Sequence, residues 1–431
     1  MGYRPVSAAT ILFLCFFSAC KTSGSKGTGS SALREDTTAP AINVETRDHV
    51  PVTVAKLHDG IAATPVCDES HPLAVGEECK IPEEDALNAK ITAAAVGFQS
   101  FQNPKSQGLS KRDFHPKSTA CVAAKFEVLA DLPDDLQRGI FAGTYGKTAN
   151  TYRAVIRYSN GAPAIRKDHT LGVLKDGGPD PRAMGIKLIG VNGTPLLDTA
   201  PSEAGMATQD FMLTDFPVFF LRNINSAIKF FPGLLNGTAG AGLDDLEKFN
   251  FVKGQKIISD VFNETYWSQG PYKFGDGMAV KYMVKPVVCG ADLLNRAPGG
   301  AEDDFLRQNA SDRLAKGSVC FDFFVQKQKD TATTPVEDSA VEWKESDAPP
   351  VKIARITIPG PQDVMSDTRH SFCENLSFSP WNGIAEHRPL GSINRIRMTA
   401  YSGISRKRRI ENGVAVGEPT GSEDFFKVLG R

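Results

Sequence analysis

The chain lacks an excess of charge of either sign, since its 431 residues carry 49 lysines and arginines against 50 aspartates and glutamates. This balance argues against nucleic acid as a principal partner, because such proteins usually carry an excess of basic residues. The sequence also lacks a CxxC motif, which argues against a zinc site of paired cysteines. It contains neither an internal repeat nor a second linker, so we predict one folded domain over residues 46–431.

A long apolar run is also missing at the N-terminus. The run from Ala8 to Phe17 is too short to span a bilayer as a permanent helix. Because Arg4 precedes it and Ser18-Ala19-Cys20 follows it, the segment has the form of an export signal. The small pair directly before a cysteine resembles the cleavage box of bacterial lipoproteins, although Phe17 stands where leucine is more usual.

We therefore predict a signal peptide over residues 1–19 and a lipidated cysteine at Cys20. Residues 20–45 would form a flexible tether, since they are rich in glycine, serine, lysine and threonine at their start. The protein would be an exported bacterial lipoprotein, anchored on the periplasmic side or in the outer membrane and touching the membrane through its lipid only. An ordinary secretory signal with a chance cysteine is the alternative.

Export places the chain in an oxidising compartment, where cysteines can pair. Beyond Cys15 and Cys20, the even number of remaining cysteines permits disulfides, but their connectivity cannot be read from sequence. These cysteines are Cys67, Cys79, Cys121, Cys289, Cys320 and Cys373. Cys67 and Cys79 are close in sequence and are the favoured local pair.

The apolar pattern predicts strands first and helices later. Apolar and polar residues alternate, or apolar residues run together, over residues 152–159, 184–191, 278–284, 319–325 and 351–358, which indicates strands. Helical patterns cover residues 225–231, 243–251 and 393–409. Strands ahead of late helices indicate an α+β domain built around an antiparallel sheet or barrel.

One pair of residues in the last predicted helix suggests iron chemistry. Arg397 and Tyr401 are four residues apart, so they lie on the same helical face. A neighbouring fixed positive charge favours the ionised form of a phenol. A tyrosinate is a hard anionic ligand for ferric iron. Most pairs at this spacing are surface contacts, so the pair gains meaning only from the rest of the chain.

Several segments support the pair by their order along the chain. They are Arg112-Asp113-Phe114-His115, residues 155–161, Asp180-Pro181-Arg182, residues 215–222, residues 378–382 and residues 387–391. Together with the final pair they resemble the haem catalases, and most closely the short bacterial catalase-like branch that includes catalase-related lipoproteins. The resemblance covers residues 112–409 and implies an α+β fold, a catalase-type antiparallel β-barrel haem domain with flanking helices.

The resemblance assigns residues to the proximal and the distal side of a haem. Tyr401 falls at the proximal iron ligand and Arg397 at its charge partner. His115 falls at the distal histidine, and Ser159 at the serine that orients it by a hydrogen bond. A histidine suits the distal role, because it can take a proton from the inner peroxide oxygen and return it to the outer one near neutral pH.

The resemblance also assigns residues that would hold the haem in place. Arg112, Arg157 and Arg408 fall where arginines bind the haem propionates, and bidentate pairing of guanidinium with carboxylate gives the physical reason. Phe219 and Phe220 would pack near the macrocycle, which needs aromatic walls. Haem (iron protoporphyrin) is therefore the expected cofactor.

One position departs from the family pattern. Full-length catalases have an asparagine three residues before the proline of their Pro-Val-Phe-Phe segment, where it bonds the peroxide. Counted back from Pro217, this position is Thr214. A hydroxyl replaces a carboxamide only in part, so efficient disproportionation of hydrogen peroxide is in doubt.

The sequence thus predicts a haem-dependent, peroxide-processing oxidoreductase of the catalase/peroxidase type, acting on hydrogen peroxide or an organic hydroperoxide. A non-catalytic haem-binding lipoprotein is one alternative. A hydroperoxide-rearranging enzyme of the allene oxide synthase type is another. Retention of both His115 and Ser159 favours an enzyme, because haem storage needs no proton shuttle, whereas Thr214 favours the alternatives. Whether the chain forms a homo-oligomer is left open.

Overall fold

The computed structural model describes residues 54–102, 109–142, 150–161, 176–198, 206–234, 237–290, 303–419 and 426–430. The predicted signal peptide, Cys20 and the tether lie outside these residues. Within the described ranges, no helix combines the length and the apolar character needed to cross a membrane.

Antiparallel strands form the centre of the domain. They are β1 (Lys117–Val128), β2 (Thr151–Asn160), β3 (Arg182–Asn192), β4 (Met206–Thr214), β5 (Tyr266–Trp267), β6 (Tyr272–Lys273), β7 (Ala279–Val287), β8 (Val319–Lys327) and β9 (Val351–Ile358). Their order is β5-β4-β3-β2-β1-β9-β8-β7-β6. All five predicted strands are confirmed.

A two-residue strand closes the sheet into a barrel. In β5, Trp267 pairs with Thr214 of β4, and Tyr266 pairs with Val284 of β7. Strands β7, β8, β9, β1, β2, β3, β4 and β5 therefore make a closed eight-stranded barrel, and β6 adds to the side of β7. The predicted antiparallel barrel is confirmed.

Helices flank the barrel. They are α1 (Glu84–Gln102), α2 (Ile224–Phe230), α3 (Asp245–Lys253), α4 (Phe305–Lys316), α5 (Asp367–Asn375) and α6 (Ser392–Glu411). The three predicted helices correspond to α2, α3 and α6. Helix α3 begins at a capping box in which Asp244 and Glu247 bond each other's backbone N–H groups.

Helix α6 packs through one apolar stripe. Ile393, Ile396, Ala400 and Ile404 recur at helical spacing and lie in one buried cluster with residues of α1 and α2. A second cluster fills the barrel, where aromatic side chains such as Phe126, Phe211 and Tyr282 make edge-to-face and stacked contacts. The helical cluster and the barrel thus provide two walls between which a site can form.

Three disulfides link the described residues. Cys67 pairs with Cys79, as predicted. The two long-range pairs, which the sequence could not assign, are Cys121–Cys373 and Cys289–Cys320. The first of these joins β1 to α5.

Candidate functional site

A cavity of about 780 Å³ lies between the barrel and the flanking helices. Strands β2, β3 and β4 line one side, and α1, α2, α3 and α6 line the other. Its volume is in the range of small-molecule and cofactor sites. All ten residues that the sequence suggested for haem lie in its wall, namely Arg112, His115, Arg157, Ser159, Thr214, Phe219, Phe220, Arg397, Tyr401 and Arg408.

The register of the barrel strands builds one wall of this cavity. Arg157 of β2 pairs with Gly185 of β3. Ser159 pairs with Ala183, which in turn pairs with Thr214 of β4. Residues two apart in a strand share a face, and paired residues do so too. Arg157, Ser159 and Thr214 therefore lie on one surface, and only small side chains stand between them.

His115 stands just before β1 in a strained backbone conformation. Its φ is +55°, a region that non-glycine residues rarely occupy. The backbone there is held by Arg157, whose Nη2 donates a hydrogen bond to the carbonyl of His115 at 3.0 Å. Strain of this kind is often found at functional sites, where the surrounding structure holds a side chain in place.

The imidazole of His115 is neutral in this environment. Burial lowers its pKa to about 3, and the positive charges of Arg157, Arg397 and Arg182 add to this effect. The backbone of Ser159 is the one neighbour that acts in the opposite direction. Nδ1 is buried and makes no hydrogen bond within the described structure, so the bond expected from the Ser159 hydroxyl is not formed. A neutral ring can accept a proton, as a base must.

The three expected propionate arginines lie together around a carboxylate whose side chain is 12% exposed. Glu374, in the last turn of α5, has its oxygens 3.6 Å from Arg112 Nε, 3.6 Å from Arg157 Nη2 and 3.4 Å from Arg408 Nη1. Burial alone would raise the pKa of Glu374, but the three arginines together lower it below its ordinary value. Burial and the nearby Arg112 lower the pKa of Arg157 to about 9.

These arginines also line the cavity. Glu374 lies 3.4 to 3.6 Å from each of them, which is longer than the about 2.7–2.9 Å of a charge-assisted hydrogen bond of good geometry. Carboxylates are the preferred acceptors of guanidinium groups. The cavity therefore fits an apolar molecule that carries carboxylates, as haem does.

Part of the cavity wall is aromatic, and the expected iron ligand also lies in the wall. Phe219 and Phe220 have ring centroids 5.1 Å apart, and Phe220 packs edge-on to Phe230 of α2 at 4.9 Å. Tyr401 is partly buried and packs against the same helical cluster. These rings give the cavity a broad apolar surface next to a phenol oxygen.

Arg397 makes other contacts than the one the spacing suggested. Its Nη1 donates to Asn394 Oδ1 at 3.1 Å, and its guanidinium lies over the Phe219 ring at 5.2 Å from the centroid. No hydrogen bond joins Arg397 to Tyr401 in the described part of the chain. The two residues do share the cavity wall on successive turns of α6.

Two solved structures are similar to this arrangement of barrel and helices. A fungal catalase matches with a TM-score of 0.51 and 15% identity, over 83% of this chain and 70% of that one. Catalase A from Saccharomyces cerevisiae matches with a TM-score of 0.51 and 14% identity, over 87% and 72%. The chain has the catalase fold. Neither a family model nor a curated protein sequence matches it.

Within this catalase fold, Thr214 is the last residue of β4 and lines the cavity. Its hydroxyl donates a hydrogen bond to the carbonyl of Phe216 at 3.3 Å. This bond is long for a hydroxyl donor, and it competes with any molecule in the cavity for the hydroxyl proton. The next residue, Asp215, is buried, and burial raises its pKa to about 7 against the effect of Lys256.

Sequence reasoning missed three residues of the site. Glu374 belongs to no motif and gave no local signal. Asp113 sits inside the Arg112–His115 segment, lines the cavity and accepts a hydrogen bond from Gln102 at 2.8 Å, and burial raises its pKa well above the ordinary value. Gln269 has a φ of +60° and donates to the carbonyl of Val218 at 2.6 Å. Its unusual backbone could not be read from the sequence.

Proposed function

We propose that the protein is a haem-dependent, catalase-like oxidoreductase that processes peroxides, with His115 as distal acid and base and Tyr401 as proximal ligand. One observation carries this proposal. A single cavity of the catalase fold gathers all ten expected residues, and three of them are arginines that lie together around one carboxylate, Glu374. Their guanidinium groups match the two carboxylates of haem.

In this proposal different residues of the cavity wall hold different parts of the haem. The Tyr401 phenolate would ligate the iron. The propionates would be bound by Arg112, Arg157 and Arg408, and the phenylalanines would flank the ring. The bound haem iron supplies the redox chemistry of peroxide cleavage. The protein would hold the group between the barrel wall and α6 and keep bulk water away from it.

His115 would move the proton. Its imidazole is unprotonated and so free to accept the proton of an incoming hydroperoxide, and its low pKa favours the return of that proton over its retention. The ring can then return this proton to the oxygen that leaves, so that the leaving group departs as water or an alcohol and not as an anion. The strained backbone and the hydrogen bond from Arg157 would keep the ring in place during both transfers.

The environment of Thr214 favours an organic hydroperoxide as substrate. The Thr214 hydroxyl contacts the carbonyl of Phe216 at 3.3 Å, and it is shorter than the family's carboxamide, so it is less suited to hold the outer oxygen of hydrogen peroxide. Phenylalanines instead dominate this region of the wall, including Phe216, Phe219 and Phe220, and such a surface accommodates an alkyl or aryl group. The same observation favours the second candidate functions, hydroperoxide rearrangement and haem binding without turnover.

The proposal is tested by an absorption spectrum of the purified protein, followed by assays of oxygen evolution and of dye oxidation with hydrogen peroxide and with cumene hydroperoxide. We expect a haem spectrum and faster reaction with the organic hydroperoxide. Loss of hydroperoxide without oxygen or oxidised dye would indicate rearrangement. Haem without any turnover would indicate a haem-binding protein, and a protein that takes up no haem would contradict the proposal.

Restoring the family asparagine should increase hydrogen peroxide disproportionation. In Thr214→Asn, a carboxamide could hold the outer peroxide oxygen. A lost catalytic hydrogen bond commonly costs about 10²–10³ in rate, so we expect oxygen evolution to rise by more than about tenfold at unchanged haem content. Thr214→Val is the matched control, because it has the same size and no donor. If both variants evolve oxygen at equal rates and the wild type is as fast as a full-length catalase, this account of position 214 is wrong.

We also propose, from the sequence, that Cys20 is lipidated after removal of residues 1–19. Several acyl chains on one cysteine would anchor the protein firmly, whereas a single chain gives only marginal binding. Lys21 in place of aspartate leaves outer-membrane sorting open in a Gram-negative cell. Mass spectrometry of the mature N-terminus should find an acylated Cys20, and Cys20→Ser should release the protein from membranes. A free terminus beyond residue 20 would contradict this prediction.

A further inference from the structure

Glu374 is a largely enclosed carboxylate, 12% exposed, in the place where the proposed function requires a site for carboxylates. It touches all three of Arg112, Arg157 and Arg408, at 3.4 to 3.6 Å. Its shortest contact is to the backbone N–H of Arg112, which donates to Oε1 at 3.1 Å. Charge-assisted pairs of good geometry are shorter, at about 2.7–2.9 Å. Glu374 is therefore shared among the arginines and saturates none of them.

The guanidinium groups are held from another side by backbone carbonyls. Arg112 Nη2 donates to the carbonyls of Cys373 and Leu376, each at 2.7 Å. Arg408 Nη2 donates to the carbonyl of Leu376 at 2.9 Å. These contacts at the C-terminal end of α5 fix the side chains of Arg112 and Arg408. The arginines are thus positioned before any further carboxylate arrives.

Glu374 itself is firmly placed. The preceding residue, Cys373, is fully buried and forms a disulfide with Cys121 of β1, which is also fully buried. The end of α5 is in this way tied to the barrel beside the arginines. Glu374 is consequently a fixed part of the cluster and not a group on a movable loop.

The formal charge of the cluster is opposite to that of the two haem propionates. Three guanidinium groups and one carboxylate leave two positive charges, and two propionates carry two negative charges. Without Glu374 the three closely spaced arginines would repel one another with no internal anion.

We propose that Glu374 is a positioning residue for the haem propionates: it is a built-in counter-anion that holds the three arginines together and sets their charge to match two carboxylates. This inference rests on the proposed haem function. It implies that Glu374 contributes most to stability in the haem-free protein. When haem is bound, its propionates can replace Glu374 as anions beside the arginines. A carboxylate that stabilised only the fold would contribute equally to stability with and without haem.

The test uses Glu374→Gln, which keeps the shape and the acceptor for the Arg112 N–H and removes the charge. Thermal unfolding is followed with and without haem, and affinities are measured by absorbance titration with haem and with haem dimethyl ester, whose propionates are uncharged. We expect the unfolding temperature to fall more without haem than with it. The preference for haem over the ester should grow by at least about fivefold, as for coupled charges in contact.

The matched control is Glu84→Gln, which removes the charge of a buried carboxylate that is bonded to Arg395 and is not part of the cavity lining. It should lower the unfolding temperature equally with and without haem and leave the preference unchanged. If Glu374→Gln also lowers the unfolding temperature equally with and without haem and leaves the preference for haem over the ester unchanged, the proposal is overturned. A Glu374→Gln protein that folds only when haem is supplied would support it, and one that haem cannot restore would overturn it. A wild type that binds neither haem nor its ester contradicts the proposed function instead.

Discussion

Replacement of Tyr401 by phenylalanine should abolish or severely weaken haem incorporation. The substitution keeps the ring that packs against α1 and α2 and removes only the phenol oxygen. That oxygen is the sole anionic ligand proposed for the iron, and the neutral phenylalanine ring offers no replacement. Haem content per chain, measured by absorbance against protein concentration, should fall from near one in wild type to a small fraction in the variant.

The matched control for this experiment is Tyr158→Phe. Tyr158 is a fully buried tyrosine of the barrel interior, packs against Phe262 and Tyr266 and is not part of the cavity wall. Its loss of a hydroxyl should leave haem content unchanged. Equal haem content and an identical spectrum in Tyr401→Phe and wild type would show that another residue ligates the iron, and the assignment of the proximal ligand would be wrong.

The barrel could be predicted because its strands have one face toward the core. In β2, Ala154, Ile156 and Tyr158 belong to the barrel core, whereas Arg157 and Ser159 line the cavity. This alternation is visible in the sequence, since residues two apart share a face. Barrel closure was not visible in the same way. It depends on β5, and two residues are too few to show a period.

The composition of the cavity wall could be predicted from motifs, but its contacts could not. Spacing placed Arg397 and Tyr401 on one face of α6, yet the guanidinium bonds Asn394 and lies over Phe219. Such contacts depend on side chains that other helices, strands and loops bring into the cavity wall. Glu374 is the clearest case, since it reaches Arg112 from 262 residues away in sequence. No local sequence pattern identifies a residue whose role depends only on residues that are distant in sequence.

Replacement of His115 by alanine should leave haem in place and abolish peroxide turnover. Haem would be held by Tyr401 and the arginines, none of which needs the imidazole. A positioned acid and base contributes about 10²–10⁴ to a rate, and we expect a loss of this size in dye oxidation and in hydroperoxide consumption. Haem content and unfolding temperature should stay close to those of wild type.

The pH dependence gives a second measurement of the same role. Burial and nearby arginines lower the pKa of His115 to about 3. The base is therefore neutral and active above this value and is lost only as the pH falls toward it, so turnover should not drop through this residue between pH 8 and pH 5. His370→Ala is the control, because His370 bonds the carbonyl of Val364 and lies outside the cavity lining. If His115→Ala keeps its haem and still turns over peroxide like wild type, the enzymatic interpretation fails. A haem-binding protein without turnover then accounts better for the site, because storage requires the arginines and Tyr401 but no proton shuttle.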